Sequence, residues 1–561
     1  MKIFYHGQGG WNSKPAGLAN IPNLLALEGN NWDDFGNKTT LDASLYFDGE
    51  RFDFDFHLKL LIEGRSYTAL ALNEMKNAGW DGFFPIPNAN YISLPSDIDF
   101  YHTLLSKLGE KKAITLLRTL KDAGFLINID QDESASALSE SDEFSSSVLR
   151  ESGAIKAYTD GWRIFDGSLN EINSFELNIL TAEMQSKKIP FRFNSTILPY
   201  DINILIGPNG IGKSYCLKSF VEYWLKTGIG SPKHLKRIGH TPFDTPPNIS
   251  KLILVSYSPF EEFTLDLSKA HLKDKQAYKY FGFRYQNEKG EVGINRNLPS
   301  FNSAESIIKA LFEDEKFSFI ENRVEKVATV GSALSSALSF DYMALEVKDD
   351  SLLSPFSQLI VNIDDKSYLR LLPEIVDSIA EVDLLSSCNL VSGVCFIKAG
   401  AICQLSSGQR LFTYIVINVV AELRENSLVV IDEPELFLHP TLEVEFVSLL
   451  KLVLQPFKSK AILATHSLSV VREVPSNCVH IFRDEGYGLD VIKPPFETFG
   501  GDMQRISSYV FGDRSVTKPF EDLLAEQIKK YSPERLIELL GDEINEELTM
   551  KILRLGRQNG R

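Results

Sequence analysis

The chain is poor in the features that mark several large protein classes. Its five cysteines (Cys216, Cys388, Cys395, Cys403 and Cys478) are odd in number and nowhere form C-x-x-C, so neither a disulfide framework nor a cysteine zinc site is suggested. No apolar run reaches the length of a membrane span, and the start "MKIFYHGQGGWNSK" has no apolar stretch of the signal-peptide kind. The expectation is a cytoplasmic protein without membrane contact. Positive charge is also scarce. A formal net charge of −17 argues against wrapping nucleic acid over the whole surface. Any such contact needs a partner or a local patch; the clearest basic stretches are "KHLKR" (233–237) and the tail "KILRLGRQNGR" (551–561), which read as a solvated face or a frayed end before they read as nucleic-acid patches. Sustained heptads and internal repeats are missing, which excludes a long coiled-coil arm and a solenoid.

What is present fits a globular chain of several domains: 561 residues, 43% hydrophobic and 24% charged. The acidic, serine-rich "QDESASALSESDEFSSS" (131–147) reads as a linker or exposed loop. Before it, "LYFDGERFDFDFHLKLL" predicts a hairpin turning at Asp48-Gly49, with Phe52, Phe54 and Phe56 on one face and Asp53 and Asp55 on the other. The aspartates read as a solvated face before they read as metal ligands. "KKAITLLRTLKDAGF" (111–125) predicts a helix with a glycine cap. These segments make an N-terminal α+β domain over 1–165 of unknown role.

From about residue 172 short strands alternate with helices, the sign of an α/β fold. "FELNIL" and "FRFN" predict a strand pair, and "INILI" (202–206) a buried strand. The division expected is an N-lobe over 166–264, a mainly helical insertion over 265–395, a second lobe over 396–515 and a helical segment over 516–561.

Chemistry concentrates in four short stretches. "GPNGIGKS" fits G-x-x-x-x-G-K-[ST], follows a strand and opens a helix, "KSYCLKSFVEYWLKTG", expected to close at Gly228. Gly207, Gly210 and Gly212 let the backbone curl, so that its N–H groups point into one concavity, a nest for phosphate oxygens, to which the following helix adds its positive N-terminal end. Pro208, Asn209, Ile211 and Tyr215 complete the expected ATP-binding lip. Lys213 would neutralise phosphate charge and Ser214 would hold Mg²⁺. In "SLVVIDEPELFLHP" an apolar strand delivers Asp432, a second Mg²⁺ ligand, and Glu433, a general base for water. "AILATHS" brings His466 to the same sheet edge, either as a structural histidine or as a γ-phosphate sensor. "QLSSGQR" (404–410) places Ser406, Ser407 and Gly408 at a helix start, which reads as a cap or, with Gln409 and Arg410, as a phosphate-facing end.

GPNGIGKS, LSSGQ, LVVIDEPE and ATHS, in that order, resemble the Walker A, signature, Walker B and switch-histidine motifs of ABC-type ATPases. "EPELFLHP" and "TFGGDMQRISSYVFG" resemble the AAA-labelled branch outside the transporters. The likeness covers about 172–265 and 396–515, and LSSGQ departs from the common LSGGQ at Ser407. It implies ATP and Mg²⁺ as ligands, with Lys213, Glu433 and His466 in catalysis. It also implies a head-to-tail dimer in which Ser406, Ser407, Gly408 and Gln409 of one subunit close over the ATP of the other. No glutamine stands at the Q-loop place in "LVSYSPFEEF" (254–263), where Ser256, Ser258 and Glu261 are the polar candidates. Within the branch, chain size and "RLIELLGDEINEEL" are most similar to the ATPase subunit of Septu-type and retron-linked antiphage systems, which implies a separate HNH-type nuclease as partner. The residues after 515 are too few for a Toprim nuclease domain. Two alternatives stay open: a DNA-repair or chromosome-maintenance ATPase acting directly on DNA, and a toxin enzyme with its chemistry in residues 1–165. For the latter, "FYHGQGG" (4–10) resembles the Tyr-His-Gly strand of ADP-ribosyltransferases, without a partner motif.

Overall fold

The structure, a computed structural model, describes every residue except 8–17, 19–20, 31–36, 150–151, 167–171, 182, 196, 266–276, 288, 317, 319–322, 350, 352, 377, 485–487, 512–518 and 559–561. Contacts divide the chain into Met1–Gly500 and Gly501–Arg561, so the C-terminal boundary falls earlier than the expected residue 516.

The N-terminal part is built on a five-stranded sheet in the order Lys2–Gly7, Leu24–Gly29, Thr40–Phe47, Glu50–Ile62 and Tyr91–Pro95. The first pair is parallel and the others are antiparallel. The hairpin predicted at Asp48-Gly49 forms, and both turn residues take positive φ (49° and 93°), which matches the twist of the flanking strands. Alternation sends Leu25, Leu27, Leu41, Ala43, Leu45 and Phe56 into the main core, under helices Asp99–Leu108 and Glu110–Leu120. The opposite face is apolar at one end too, through Leu24, Ala26 and Tyr46. The side chains of Asp53, Phe54 and Asp55 lie outside the described residues.

Two local expectations are corrected. The serine-rich stretch is no exposed loop: Asp132 caps helix Glu133–Ser139 by accepting from the N–H groups of Ser134 and Ala135, and a π-helical turn follows at Phe144–Val148. Ala135, Leu138, Phe144 and Val148 are sparse in sequence but all buried in the N-terminal core, which fixes the segment. Neither helix expected to end at a glycine does so. Lys121 and Lys226 take the left-handed cap positions instead (φ 54° and 55°). Gly124 is needed for close packing, since a Cβ there would lie 2.9 Å from the Tyr158 carbonyl oxygen.

The second half of Met1–Gly500 is an α/β head. Phe175–Leu180 pairs with Ser186–Phe191, slightly upstream of the partner expected at 191–194. The central sheet runs Tyr278–Gly282, Lys251–Ser256, Ser427–Asp432, Lys460–Thr465, Ile202–Ile206, Val479–Asp484 and Leu489–Ile492. All neighbours in it are parallel except the last pair. Every residue of the four strands around 202–206, 251–256, 427–432 and 460–465 is buried, the expected state of parallel strands covered on both faces.

The stretch 265–395, expected to be mainly helical, carries helices Leu298–Lys316 and Lys326–Ala337 together with most of a five-stranded antiparallel sheet. Its order is Ile360–Ile363, Lys366–Arg370, Tyr342–Glu346, Val394–Lys398 and Ala401–Ile402. These strands are short, two to five residues each. Their turn at Asp364-Asp365 uses two positive φ values (48° and 59°) on non-glycine residues, which hides it in the sequence. Helix Leu298–Lys316 packs along helix Ser407–Glu422, so insertion and signature helix form one lobe rather than two.

Candidate functional site

Strand order brings the chemistry together. Lys460–Thr465 lies between the strand that ends in Asp432 and the strand that leads into Gly207. In register, Ala464 stands opposite both Asp432 and Leu205, and Thr465 opposite Ile206. His466, next along the chain, therefore emerges between the phosphate loop and the acidic pair. The predicted site residues 207–215, Asp432, Glu433 and His466 all meet at the C-terminal edge of the sheet, where ligands of open α/β sheets bind.

The loop has little freedom at its base. A Cβ on Gly207 would lie 2.3 Å from the Phe482 carbonyl oxygen, so only glycine fits. Gly210 and Gly212 take φ of 75° and 104°, which opens the curl before helix Lys213–Leu225. Pro208, Asn209 and Gly210 form an exposed lip, and Tyr215 is exposed beside it. Lys213 is buried, and its Nζ donates to the carbonyls of Gly207 and Pro208, each at 3.1 Å. Burial draws its pKa down against the pull of Glu433, Asp432, Glu435 and Glu261.

On the acidic side, the Ser214 hydroxyl donates to Oδ1 of Asp432 at 3.1 Å. Asp432 is 2% exposed, and its Oδ2 is buried with no hydrogen-bond partner. Burial first, then the carboxylates of Glu261 and Glu433, push its pKa up to about 8. A buried carboxylate oxygen left open beside a serine hydroxyl has the chemistry to fit a hard cation such as Mg²⁺. Glu433 sits in the left-handed region (φ 48°), its N–H tied to the Ala464 carbonyl at 2.9 Å. Its Oε1 lies 3.2 Å from Nε2 of His466, and that bond, ahead of burial, holds its pKa below the usual carboxylate range.

Two further carboxylates belong to the site. Glu435, half-buried, accepts a hydrogen bond from the His466 N–H, while its Oε2 is buried without a partner. It lies within "EPELFLHP", where nothing in the sequence marks a role for it, because its reach to His466 is made only by the fold. Of the three Q-loop candidates, Glu261 is the one whose carboxyl feels the site's charges: burial first, then the Glu433 carboxylate, push its pKa up. Ser256 and Ser258 are buried at the end of their strand.

The signature residues stand apart. Ser406 caps helix Ser407–Glu422 with a reciprocal capping box: its Oγ accepts from the Gln409 N–H at 3.3 Å, and Gln409 Oε1 accepts from the Ser406 N–H at 3.0 Å. Arg410 bonds the Leu405 carbonyl at 3.2 Å. Ser406 and Ser407 are exposed and Gly408 is buried, and none of these bonds reaches residues 207–215. In the N-terminal part, Tyr5 is buried and donates to the Ala69 carbonyl at 3.2 Å, a core role, while residues 8–10 of "FYHGQGG" lie outside the described residues. "KHLKR" lies in the exposed helix Pro232–Ile238. Among the described residues no helix is long and apolar enough to cross a membrane.

The family described as "AAA domain, putative AbiEii toxin, Type IV TA system" matches residues 401–472. Protein ea59 of Escherichia phage lambda is 24% identical over 569 aligned residues, covering 96% of each chain. Among solved structures, an SMC head bound to the C-winged helix domain of ScpA aligns over 58% of this chain and 98% of its own, at TM-score 0.29 and 12% identity. The structure of cbiO1 from Clostridium perfringens, part of the ABC transporter complex cbiONQ, aligns over 67% and 100%, at 0.24 and 13%. The SMC head domain from Thermotoga maritima aligns over 58% and 100%, at 0.23 and 14%. Scores this low leave the assignment to the strand order, the motif geometry and the match at 401–472. On those grounds the chain carries the α/β fold of an ABC-type P-loop ATPase head, joined to an N-terminal α+β domain.

Proposed function

We propose that the protein binds and hydrolyses ATP and works as a nucleotide-gated dimeric switch. The observation that carries this reading is the convergence of Lys213, Ser214, Asp432, Glu433 and His466 on one sheet edge, with a carboxylate oxygen of Asp432 left open. The loop N–H groups and the helix start would receive the phosphates, and Lys213 would exchange two backbone carbonyls for phosphate oxygens. Ser214 and Asp432 would hold Mg²⁺, which when bound offsets charge on the phosphates. Glu433, kept ionised by its bond to His466, is suited to accept a proton from the attacking water. His466 sits between Glu433 and Lys213, where a γ-phosphate would be felt.

The exposed capping box at Ser406 supports the second half of the proposal. A capped helix start with nothing from its own phosphate loop before it suits the ATP of a second copy, giving two composite sites per head-to-tail dimer. Closure on ATP and opening on hydrolysis would then gate a partner effector in the cytoplasm. A separate HNH-type nuclease and a role in antiphage defence rest on the resemblance to Septu-type and retron-linked ATPases alone. Direct action on DNA remains the second reading; a salt-dependent DNA affinity of the isolated protein would favour it.

The central test is ATP turnover by the full chain and by Lys213→Ala. Loss of turnover with retained folding supports the reading, and equal turnover in both sinks it.

A further inference from the structure

At the N-terminal ends of the head's parallel strands, opposite the edge that holds Gly207, Asp432 and His466, lies a cavity of about 310 Å³. The head lines it where strands begin: Ser250 precedes Lys251–Ser256, Arg424 and Glu425 precede Ser427–Asp432, and Lys458 precedes Lys460–Thr465. The N-terminal domain lines it with the first turns of helices Asp99–Leu108 and Ser152–Asp160, through His102 and Lys156. Two side-chain contacts cross between these walls. Nη1 of Arg424 lies 2.9 Å from Oδ2 of Asp97, and Nε2 of His102 lies 3.8 Å from Oε2 of Glu425. They tie the walls together beside the cavity, so the space is preformed.

The lining is basic in a chain whose net charge is −17. Lys156, Arg323, Lys326, Arg424 and Lys458 contribute five cations, against the carboxylates of Asp97, Asp99 and Glu425. Lys156 and Lys326 are 3% and 2% exposed, which keeps two ammonium groups away from bulk water. Their carboxylate partners stand outside the lining: Lys156 pairs with Asp160, and Lys326 and Arg323 share Glu313, each at 2.8 Å. Leu423 and Phe457, both buried, add an apolar wall. A domain-interface cavity with an apolar wall and a few convergent charges is the usual form of a small-molecule site. We propose that it binds a nucleoside monophosphate or an organic phosphate of that size. The phosphate would lie among Arg323, Arg424 and Lys458, since guanidinium forks match its oxygens. The ring would lie against Leu423 and Phe457, and Asp99 and Glu425 would accept from hydroxyls. The volume is at the lower end for ligand sites, which excludes a much larger body. The loop 423–426 joins helix Ser407–Glu422 to the strand that ends in Asp432, so such a ligand touches the link between the signature and the acidic pair. The binding itself stands apart from the ATPase reading.

The test is calorimetric titration of the full chain with AMP, GMP, CMP and UMP, and with inorganic phosphate. At least one monophosphate is expected to bind with Kd below about 1 mM, and inorganic phosphate to bind at least about tenfold more weakly. Arg323→Gln and Lys458→Gln should each weaken the monophosphate by roughly ten- to a hundredfold. Val324→Trp keeps every charge and narrows the cavity, so it should weaken binding as much. Lys236→Gln, on the exposed helix Pro232–Ile238, controls for general charge and should bind as wild type. Unfolding midpoints near the wild-type value show that the variants are folded. Wild-type protein that binds no monophosphate by about 1 mM overturns the proposal. So does binding that Lys458→Gln and Val324→Trp leave unchanged, or inorganic phosphate bound as tightly as the monophosphates. Binding lost in Lys213→Ala alone also overturns it, because the ligand then sits on the phosphate loop. A chain that binds a monophosphate in this way but hydrolyses no ATP keeps the site and removes the ATPase reading.

Discussion

The Lys213 ammonium nitrogen lies 2.8 Å from Nε2 of His466, and the same Nε2 lies 3.2 Å from Oε1 of Glu433. One ring nitrogen cannot accept from Lys213 and donate to Glu433 with a single proton arrangement. The three groups therefore compete for one hydrogen position. When phosphate draws Lys213 away, Nε2 becomes free to carry a proton towards Glu433 or the γ-phosphate. His466→Ala is expected to lower kcat by about a hundredfold while ATP affinity changes by no more than a few-fold. Steady-state turnover beside equilibrium nucleotide binding checks this; an affinity loss as large as the rate loss would make His466 a binding residue only.

Glu433 is poised by the same bond. Its left-handed backbone turns the carboxylate out of the strand line, and His466 keeps it ionised near neutral pH. Glu433→Gln is expected to cut turnover by roughly 10²- to 10⁴-fold and to let an ATP-bound dimer accumulate. Light scattering with ATP, beside the turnover assay, reads both effects. Turnover unchanged in the variant removes Glu433 as the base.

Ser406 has one role inside its chain and a proposed one outside it, and two substitutions separate them. Ser406→Ala loses the cap and should cost about 1 kcal/mol of stability, measured by denaturant unfolding. Ser406→Arg should abolish turnover by blocking the facing nucleotide. Mixing Lys213→Ala with Ser406→Arg then becomes informative, because a mixed dimer rebuilds one intact composite site. Turnover should recover to about a quarter of wild type if subunits exchange freely and the sites act independently. Full activity of Ser406→Arg alone would end the trans-site model.

The four motif stretches were legible because buried parallel strands are continuous apolar runs, and because glycines at 207, 210 and 212 have backbone reasons that sequence displays. The signature was legible as a cap, and its reciprocal partner Gln409 is visible at the capping-box spacing. What escaped has no one-dimensional mark. Lysines 121 and 226 end helices in a conformation for which glycine is the usual signal. The antiparallel sheet around Tyr342–Glu346 is made of strands of four or five residues, too short to show a period. Glu435 joins the site only because the strand 460–465 lies beside the strand 427–432.

Asp122 offers a stability test away from the nucleotide site. It is buried, accepts from the Tyr101 hydroxyl at 2.8 Å, and caps the next helical turn by accepting from the Phe125 N–H at 2.8 Å. Burial, only partly offset by those two bonds, pushes its pKa up to about 7. The unfolded value is near 4. Between these values the folded chain binds more protons at Asp122 than the unfolded chain, so this group's contribution falls as pH rises. It is fully present below about pH 4 and lost once pH passes about 7. Asp122→Asn removes the charge, keeps one carbonyl oxygen to accept from the Phe125 N–H, and sets an NH₂ donor opposite the Tyr101 hydroxyl, whose oxygen can accept from it. The stability of the variant relative to wild type should therefore rise by up to about 1.4 kcal/mol per pH unit across that window. Parallel thermal or denaturant unfolding of both chains at pH 5 and pH 8 measures it. A constant difference between the two chains at both pH values would show that Asp122 is already ionised in the folded protein.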